Sequence, residues 1–586
     1  MDETTNILVK IDDLSYRPMG VDHDILKGVN LQIEKGDFIL LLGPSGCGKS
    51  MLSRCMNGLI PHLDEGELRG VVRVQGKDTR EHKIHEFSTI IGMVFQNPDD
   101  QIVSLIVVDE VAWGVENQGL SREVIIQRVD RALDVLGISD IKDRLTFAIS
   151  GGQKQKVSIA SNLAMEQVML ILDDPTTDLD PICKAEVIQA LAKLHAEMGI
   201  TILVIEHDLN DLIDLANRIV LMENGEVILE DSPRELLTHH YDKMVELGVN
   251  IPQHVEIAHF ILNRLGSQAE CPPDKQGAFE LLQQYIEKYP PVPKKVEKHL
   301  PPMGEPVIKV DHMDFSYSAR SQILYDLNFE VKKGEFLAIV GANGSGKSTL
   351  VNNFTGLLKP DKGQVLINGH DTRKIKMTEL LQGLGYVFQN PDHQLFANTV
   401  FDEVAFSLRL RKVEEDEVSK RVEETLKFVD LWNLRDRHPS SLSRGQRQKL
   451  AVATALIHKP KVILLDEPTT GQDRISLNSL MTLMINLNRE GNTTIMVTHD
   501  MDIVAAYATR VMVMSNGKFV FDGQLEDVFY DQFEALSNMN LKPPTVVDFC
   551  RRLENKGVPR CLNVDELFQY LDQVAGKEVD IDLLTA

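Results

Sequence analysis

The chain has 586 residues, of which 43% are hydrophobic and 25% charged, and its formal net charge is −25. Because single cores rarely grow past about 250–300 residues, several domains are expected. The negative charge argues against nucleic acid as the main partner, since phosphate backbones are bound through excess Lys and Arg. No apolar run approaches the roughly 20 residues that span a bilayer, and no signal-peptide core follows Met1. The six cysteines lack disulfide or zinc spacing, which suits a reducing cytoplasm.

The first half of the chain alternates predicted strands and helices. An apolar strand at 38–42 leads into the glycine-rich loop GPSGCGKS at 43–50, which is expected to open a helix. Further buried-strand runs occur at 168–172 and 201–205, and helical periodicity follows Ser150. This alternation predicts an α/β domain with a largely parallel sheet.

The second half repeats the first. Its predicted elements are strands at 336–340, 462–465 and 495–497, the loop GANGSGKS at 341–348, and a helix after Ser443. Matching positions lie at a nearly constant distance, 298 residues from Lys49 to Lys347 and 292 from His207 to His499. One nucleotide-binding module is therefore duplicated within a single polypeptide.

Proline content and short repeats set the predicted domain boundaries. The segment YPPVPKKVEKHLPPMGEP holds six of the 24 prolines, which disfavours helix and sheet and predicts a semi-rigid extended linker. NIPQHVEIAHFILNRLG and NLKPPTVVDFCRRLENKG each predict a short helical appendage after a module. The expected organisation is nucleotide-binding domains at 1–240 and 307–535, helical appendages at 241–288 and 536–586, and the linker at 289–306.

Both glycine-rich loops match the phosphate-binding pattern G-x-x-x-x-G-K-[ST]. Glycines let backbone N–H groups point at the β- and γ-phosphates, and the helix N-terminus favours their negative charge. Lys49 and Lys347 supply positive charge, and Cys47 is interpreted as a small loop residue without a catalytic role. The loop residues expected to contact ATP are Gly43, Ser45, Gly46, Cys47, Gly48, Lys49, Ser50, Met51, Gly341, Asn343, Gly344, Ser345, Gly346, Lys347, Ser348 and Thr349.

A pair of acids ends an apolar strand in each half. ILLDEPTTGQD carries Asp466 and Glu467, and LILDDPTTDLD carries Asp173 and Asp174. The first acid of each pair is expected to hold Mg²⁺ through water, and the second to polarise the attacking water. Such a pair can also be a solvated turn, but the phosphate loop upstream favours the metal-binding interpretation.

In these motifs and their order, both halves resemble ATP-binding cassette (ABC) ATPases over nearly all of residues 7–535. The signature motif reads ISGGQ at 149–153 and LSRGQ at 442–446. The resemblance implies two tandem P-loop NTPase domains of α/β fold, each with a helical signature subdomain.

The same resemblance implies roles for individual residues. The expected Mg²⁺ contacts are Ser50, Gln96, Asp173, Ser348, Gln389 and Asp466, where the two glutamines belong to the Q-loops. The expected catalytic residues are Glu467 and Asp174 with the switch histidines His499 and His207. The expected ATP contacts include the Q-loop glutamines, the adenine-stacking Tyr16 and Tyr317, and the signature residues Ser150, Gly152, Gln153, Ser443, Gly445 and Gln446. Asp180 and Asp473 match the D-loop aspartates, and a lone tyrosine remains open to a core role.

The segments after the Q-loops narrow the resemblance. FQNPDDQIVSLIVVDEVAWGVEN and FQNPDHQLFANTVFDEVAFSL look like the ATPases of energy-coupling factor (ECF) importers of vitamins and cobalt, including the fused thiamine-precursor type. The resemblance implies a peripheral protein at the cytoplasmic face of the cell membrane. Its partners would be an integral membrane coupling (T) subunit and a substrate-binding (S) membrane subunit. It also implies that the helical appendages help to hold the two ATPases together.

In cassette ATPases two modules pair head to tail, and each ATP lies between the phosphate loop of one and the signature motif of the other. Both departures from the family pattern then fall in the site of the first phosphate loop, which we term site one. There Asp174 replaces the expected glutamate and Arg444 replaces the first signature glycine. A slow, ATP-retaining site one and a hydrolytic site two are expected. Neutral drift, with Arg444 pointing to solvent, is the alternative.

Acidic residues follow both Q-loops and could receive arginine-bearing helices of a membrane subunit: Asp99, Asp100, Asp109, Glu110, Asp392, Asp402 and Glu403. A solvated acidic surface is the alternative explanation. A soluble twin-cassette ATPase of ribosomes or nucleic acid is the alternative function, although the acidic chain lacks its usual basic linker and cysteine clusters. A fused sugar-importer ATPase is disfavoured by the FQNPD segments. The transported substrate has no signature in this chain.

Overall fold

The computed structural model describes residues 6–177, 179–210, 212–267, 269–290, 304–318 and 321–576. These residues form two compact units, Met1–Ala278 and Phe279–Ala586. The predicted linker at 289–306 falls mostly on residues outside the described ranges.

The first unit is built on two sheets. Its strands are β1 (Ile7–Pro18), β2 (Leu26–Glu34), β3 (Phe38–Leu42), β4 (Gly66–Val74), β5 (Lys77–Asp78), β6 (Ile91–Val94), β7 (Met169–Asp173), β8 (Thr201–Ile205), β9 (Arg218–Glu223) and β10 (Glu226–Asp231). Among the described residues, one sheet has the order β2-β1-β4-β5 and the other β10-β9-β3-β8-β7-β6. In the second sheet, the five strands β9, β3, β8, β7 and β6 run parallel to one another, and β10 pairs antiparallel with β9. The predicted α/β fold with a largely parallel sheet is confirmed.

The helices of the first unit lie between and after these strands in the chain. They are α1 (Lys49–Met56), α2 (Leu59–His62), α3 (Ile84–Ser88), α4 (Val107–Glu116), α5 (Arg122–Val135), α6 (Gly151–Ala164), α7 (Pro181–Met198), α8 (Pro233–His239), α9 (Tyr241–Glu246), α10 (Gln253–Leu265) and α11 (Lys275–Lys288). Helices α4, α5 and α6 pack on one another and make up the helical subdomain that precedes and includes the signature motif.

The main core of the first unit lies between the two sheets around α1. Alternate residues of β1 and β2 point inward, which gives their half-buried pattern, while all five residues of β3 are buried because both faces of that strand are covered. Burial on both faces explains the continuous apolar sequence FILLL. The phosphate loop therefore begins at the end of a strand that is buried on both faces.

The second unit repeats this architecture. Its strands are β11 (Pro306–Ser318), β12 (Ser321–Lys332), β13 (Phe336–Val340), β14 (Lys362–Ile367), β15 (His370–Asp371), β16 (Leu384–Val387), β17 (Val462–Asp466), β18 (Thr493–Thr498), β19 (Arg510–Ser515) and β20 (Lys518–Gly523). Its helices are α12 (Lys347–Phe354), α13 (Met377–Gly383), α14 (Val400–Leu410), α15 (Glu415–Phe428), α16 (Arg444–Leu456), α17 (Arg474–Arg489), α18 (Met501–Tyr507), α19 (Phe533–Asn538), α20 (Thr545–Leu553) and α21 (Val564–Val574). The sheet orders are β12-β11-β14-β15 and β16-β17-β18-β13-β19-β20 in the described part.

Helix α11 belongs partly to the second unit, which begins inside it at Phe279. The Phe279 ring packs edge-on against Phe549 of α20, with centroids 5.3 Å apart, and the Arg552 guanidinium lies 3.5 Å from its centroid. Lys556 forms an ion pair with Glu287 at 2.9 Å. The last helix of the predicted appendage 241–288 thus packs against the predicted appendage 536–586.

Candidate functional site

The phosphate loop of each unit leaves the central strand, β3 or β13, and is closed by its own lysine. Lys49 Nζ donates to the carbonyl of Gly43 at 2.7 Å, and Lys347 Nζ donates to that of Gly341 at 2.7 Å. The glycine before each helix has a φ near 107°, which favours glycine. The loop backbone therefore turns sharply into the helix N-terminus, where unpaired N–H groups favour anions.

The remaining loop residues divide into buried supports and exposed contacts. Cys47 and Ser345 occupy matching buried positions, and burial raises the pKa of the Cys47 thiol, which agrees with a packing role. Thr349 is buried and Met51 and Ser45 are half-buried. Exposed at the open side of the loops are Gly46, Ser50, Asn343, Gly344 and Ser348, while Gly48 and Gly346 are buried.

In the second unit the acidic pair lies at the carboxyl end of β17. Burial, with the charge of Glu467 adding to it, raises the pKa of Asp466 to about 6, and the Tyr386 hydroxyl donates to Asp466 Oδ2 at 3.3 Å. Glu467 has a positive φ of 45°, and its N–H donates to the carbonyl of Val497. That hydrogen bond to β18 holds the strained backbone, and the Glu467 side chain is buried at the sheet edge.

The switch histidine of the second unit touches the glutamate directly. His499 Nδ1 lies 2.9 Å from Glu467 Oε2. Burial acts to lower the pKa of His499, but the hydrogen bond and charge of Glu467 outweigh it, and the pKa is raised. Glu467 and His499 are thus brought together, as the predicted catalytic role requires.

The first unit places its acidic pair and switch histidine at the matching strand ends, but the second acid lies farther from the histidine. Burial raises the pKa of Asp173, and a hydrogen bond from Ser50 opposes that shift, so the two predicted metal ligands meet. Asp174 has a φ of 46°, like Glu467, but its Oδ2 lies 3.9 Å from His207 Nε2. The two contacts also use different ring nitrogens, Nε2 of His207 and Nδ1 of His499, so both the acid and the histidine ring are placed differently in the two units.

A buried carboxylate that sequence reasoning missed lies behind the first-unit site. Glu206 is buried, which raises its pKa, and its oxygens accept from the Thr176 hydroxyl at 2.5 Å and the His207 N–H at 3.2 Å. It links the strand end that carries the histidine to the turn after Asp174. The matching residue in the second unit is Thr498, a difference visible in IEHD against VTHD.

Both Q-loop glutamines, Gln96 and Gln389, are exposed at the bends after β6 and β16. The loops themselves are held by the second glutamine of FQNPD-x-Q. Gln101 accepts from the Phe95 N–H and donates to the Met93 carbonyl, and Gln394 accepts from the Phe388 N–H. The second glutamine of the repeated motif therefore stabilises the loop. The six-residue spacing from Phe95 to Gln101, repeated from Phe388 to Gln394, is the sequence pattern that indicates this role.

Two of the acids predicted to face a partner are internal, and that prediction is wrong for them. Glu110 is buried and accepts from the N–H groups of Val103 and Ser104 at 2.9 and 2.7 Å. Glu403 is buried in the same way and accepts from Phe396 and Ala397 at 2.8 and 2.6 Å. A buried carboxylate that accepts hydrogen bonds from two loop N–H groups stabilises the loop of its own unit.

Several of the other acids are already paired within their own unit. Asp99 lies 2.5 Å from Lys154, Asp392 lies 2.8 Å from Arg447, and Asp402 lies 2.7 Å from Arg409. The local charge at these positions is therefore largely compensated. Large apolar side chains remain exposed around the same segments: Val103, Leu105, Trp113, Leu145 and Phe147 in the first unit, and Phe396, Phe406 and Leu410 in the second. We refer to these two sets as the apolar surfaces.

The signature motifs form the N-termini of α6 and α16. Ser150 and Ser443 are N-caps, and Gln153 and Gln446 close a capping box by accepting from the backbone N–H of the cap residue at 3.0 Å. The two glutamines predicted to contact ATP thus serve their own helix ends in this structure. The D-loop aspartates Asp180 and Asp473 are likewise N-caps, of α7 and α17.

The two signature glycines differ in what surrounds them. A Cβ at Gly152 would lie 2.5 Å from the Cys183 side chain, and one at Gly445 would lie 2.4 Å from Ser476 Oγ. A Cβ at Gly151 would meet nothing within 4 Å. The second glycine is therefore required by helix packing, whereas nothing described in the unit itself requires the first, whose counterpart is Arg444.

We expect Gly152→Ala to lower the melting temperature of the chain and Gly151→Ala to leave it unchanged or slightly raised. Overpacking at Gly152 costs about 1–3 kcal/mol, while alanine has a higher helix propensity than glycine by about 1 kcal/mol. Thermal unfolding followed by circular dichroism measures both variants, and Gly151→Ala is the matched control. Equal destabilisation would show that both glycines are packing residues.

The tyrosines predicted to stack on adenine lie in different environments. Tyr317 is 59% exposed. Tyr16 is 1% exposed, its ring lies in the core, and its hydroxyl donates to the Glu65 carbonyl at 3.3 Å. The stacking prediction is therefore wrong for Tyr16, because its ring is already covered by protein.

The family model described as ABC transporter matches residues 26–177 and 324–470. An ABC transporter ATP-binding protein of Methanosarcina mazei is 42% identical over 580 residues, which cover 97% of this chain and 98% of that protein. One from Caldanaerobacter subterraneus is 41% identical over 93% of this chain and 96% of that protein. An HMP/thiamine import ATP-binding protein of Bacillus subtilis is 35% identical over 92% of this chain and 96% of that protein.

A solved structure of cbiO1 from Clostridium perfringens, described as part of the ABC transporter complex cbiONQ, is 36% identical with a TM-score of 0.38 and covers 43% of this chain and 99% of that one. Within the described residues, none of the helices combines the length and hydropathy that crossing a membrane requires. The paired phosphate loops, acidic strand ends and signature helices, together with the family match in both halves, place the chain among the ABC transporter ATPases.

Proposed function

We propose that this ATPase energises an importer of the ECF type, which takes up a vitamin, a vitamin precursor or a metal ion through separate membrane subunits. The observation that carries the proposal is the FQNPD-x-Q segment, which is built in the same way in both units, with Gln101 and Gln394 bracing the loop and Glu110 and Glu403 closing it. The B. subtilis relative named for HMP/thiamine import supports the direction of transport and the class of substrate.

The two modules are proposed to pair head to tail, so that each ATP meets the phosphate loop of one module and the signature helix of the other. Site one then combines Lys49, Asp174 and His207 with Ser443 and Arg444. Site two combines Lys347, Glu467 and His499 with Ser150 and Gly151.

Site two is proposed to hydrolyse ATP and site one to retain it. In the second unit, Glu467 Oε2 lies 2.9 Å from His499 Nδ1, and this contact would hold the carboxylate where it can polarise the attacking water. In the first unit, the shorter Asp174 leaves a 3.9 Å gap to His207, and a misplacement of order 1 Å can cost roughly 100-fold in rate. Arg444 adds a side chain at the helix N-terminus that would face the γ-phosphate.

Mg²⁺ fits the donor set of each unit. The Ser50 hydroxyl and Asp173 carboxylate are hydrogen-bonded to each other, and hard oxygen ligands of this kind suit a small divalent cation. Ser348 and Asp466 provide the same chemical groups in the second unit, and Gln96 and Gln389 are exposed at the bends after β6 and β16. When bound, the ion neutralises charge on the phosphates, while the loop lysines hold the triphosphate in place.

Attachment to the membrane is proposed to occur through the apolar surfaces, which would receive helices of the coupling subunit, with the chain peripheral at the cytoplasmic face. Exposed clusters of large apolar side chains mark interaction sites more specifically than compensated acids do. Trp113 and Phe406 occupy matching positions on α4 and α14, and Val103 and Phe396 occupy matching positions in the preceding loops.

Affinity purification from membranes solubilised in mild detergent tests the proposal. The chain is expected to co-purify with integral membrane proteins encoded beside it, in amounts comparable to its own. Recovery with ribosomal proteins in place of membrane proteins would instead favour a twin-cassette ATPase of the translation machinery.

We expect the chain to pair its modules within one polypeptide. The predicted linker has 18 residues, and at about 3.1 Å per residue an extended chain of that length would span roughly 55 Å. Tethering would give an effective concentration on the order of millimolar. Light scattering of Glu467→Gln in ATP and Mg²⁺ is therefore expected to give the mass of one chain, near 65.8 kDa. A doubling of mass on addition of ATP would contradict intramolecular pairing.

A further inference from the structure

Strand register shows that Tyr16 and Tyr317 are not equivalent residues. Tyr16 pairs with Leu26 of β2, whereas the residue that pairs with Leu324 of β12 is Phe315. Leu26 and Leu324 are equivalent, because each packs against the last glycine of its phosphate loop. A Cβ added to Gly48 would lie 2.9 Å from Leu26, and one added to Gly346 would lie 2.8 Å from Leu324. Tyr16 therefore corresponds to Phe315, and both rings are buried.

The residue equivalent to Tyr317 is Pro18, two positions after Tyr16. The pairing of β1 with β4 and of β11 with β14 gives the same alignment. Ser15 pairs with Arg69 of β4, and Asp314 pairs with Lys362 of β14. Ser15 lies three residues before Pro18, and Asp314 lies three residues before Tyr317. The first unit thus has a proline where the second has an exposed aromatic ring.

The Tyr317 ring is held beside the phosphate loop of the second unit. Its hydroxyl lies 3.3 Å from Thr349 Oγ1 in the first turn of α12, and Phe315 meets it edge-on with centroids 5.1 Å apart. Despite these two contacts the ring is 59% exposed. A fixed aromatic face that remains open to solvent suits stacking on a nucleobase.

The corresponding place in the first unit is an open hollow of about 510 Å³. Pro18, Met19 and Val21 contribute its apolar lining, and Glu65 and Glu67 contribute carboxylates. Among the described residues that line the hollow none is aromatic. Arg17 also lines the hollow, and its guanidinium is paired with Asp24 at 3.0 Å and Glu67 at 3.4 Å. This surface therefore offers a base no aromatic stacking partner.

We propose that the two nucleotide sites differ in base recognition: Tyr317 makes site two depend on the adenine ring, whereas site one holds its nucleotide through the triphosphate. The inference rests on the proposed binding of one ATP at each phosphate loop, and it is independent of transport. Site one would then accept nucleotides with little regard to the base, and Tyr317 would be the residue that gives the chain its preference for ATP.

The test uses the full-length chain with one phosphate loop disabled at a time. Lys49→Ala leaves binding at site two, and Lys347→Ala leaves binding at site one. Titration calorimetry with Mg²⁺ compares ATP with ribose 5-triphosphate, which lacks the base. The parent chain is expected to bind two ATP, which checks the proposed binding separately from the base preference.

With Lys49→Ala we expect ATP to bind at least about tenfold more tightly than ribose 5-triphosphate, as expected for one base stacked on an aromatic ring. Adding Tyr317→Ala should bring the ratio close to one, while Tyr317→Phe, which keeps the ring, should preserve it. With Lys347→Ala the two ligands should bind within about twofold, and adding Pro18→Tyr should raise the ratio. Unchanged melting temperatures verify folding. An equally large preference for ATP in the Lys347→Ala chain, or its persistence in Tyr317→Ala, would overturn the proposal.

Discussion

Replacing Glu467 by glutamine is expected to abolish most ATP turnover, whereas Asp174→Asn should leave most of it. Glu467 is the only glutamate at the catalytic position of the two acidic pairs, and it lies 2.9 Å from His499. A positioned general base contributes typically 10²–10⁴-fold to rate, so the loss in kcat should be at least about 100-fold. Steady-state ATPase assays at saturating ATP measure both variants side by side.

The geometry around Asp174 explains why Asp174→Asn should have only a small effect on ATP turnover. Asp174 sits on the same strained backbone as Glu467, with φ of 46° against 45°, so the turn does not account for its longer distance to the histidine. Removing a carboxylate that is already one methylene short should change turnover by no more than about twofold. Equal losses in the two variants would contradict the asymmetry of the sites.

The reciprocal variant strengthens this test. Asp174→Glu combined with Arg444→Gly restores both family residues of site one and is expected to raise turnover. Arg444→Gly alone serves as the control, because it changes the signature helix without changing the acidic pair. Unchanged turnover together with unchanged nucleotide occupancy would show that another feature, such as the contacts of Glu206, limits site one.

The sequence predicted the parts of the site that depend on local pattern. The apolar runs at 38–42, 201–205 and 336–340 correctly predicted the bounds of β3, β8 and β13. These strands are buried on both faces, so their apolar residues are consecutive in the sequence. Motif spacing also placed Asp173 beside Ser50 and Glu467 beside His499. These pairs meet because parallel strands end at one edge of the sheet.

Features that depend on register or burial were harder to predict. Tyr16 and Tyr317 look alike in DLSYRP and DFSYSA, and only the pairing of β1 and β11 with their neighbours shows that they are offset by two residues. Glu110 and Asp109 are adjacent acids on one helix, yet Glu110 is buried and satisfied by loop N–H groups. Charge counted along a sequence does not reveal which carboxylate faces inward.

Replacing Phe396 and Phe406 by aspartate is expected to release the chain from membranes. Their rings pack edge-on with centroids 4.7 Å apart and are 65% and 46% exposed, so they form a small apolar site that lacks a covering element in the described part of the chain. Truncating an interfacial hot spot costs about 2 kcal/mol or more, which is about 30-fold in affinity. The double change should therefore exceed that loss.

The controls separate apolar docking from charge. Leu63→Asp alters a side chain that is 67% exposed in the loop before β4, far in sequence from the apolar surfaces, and should leave the chain bound. Asp99→Asn removes a carboxylate that Lys154 already neutralises and should have only a small effect, since exposed ion pairs contribute about 0–1 kcal/mol. Basal ATPase activity of every variant in detergent verifies that the site is intact. If Asp99→Asn releases the chain while the phenylalanine variant stays bound, docking is electrostatic and the apolar surfaces serve another purpose.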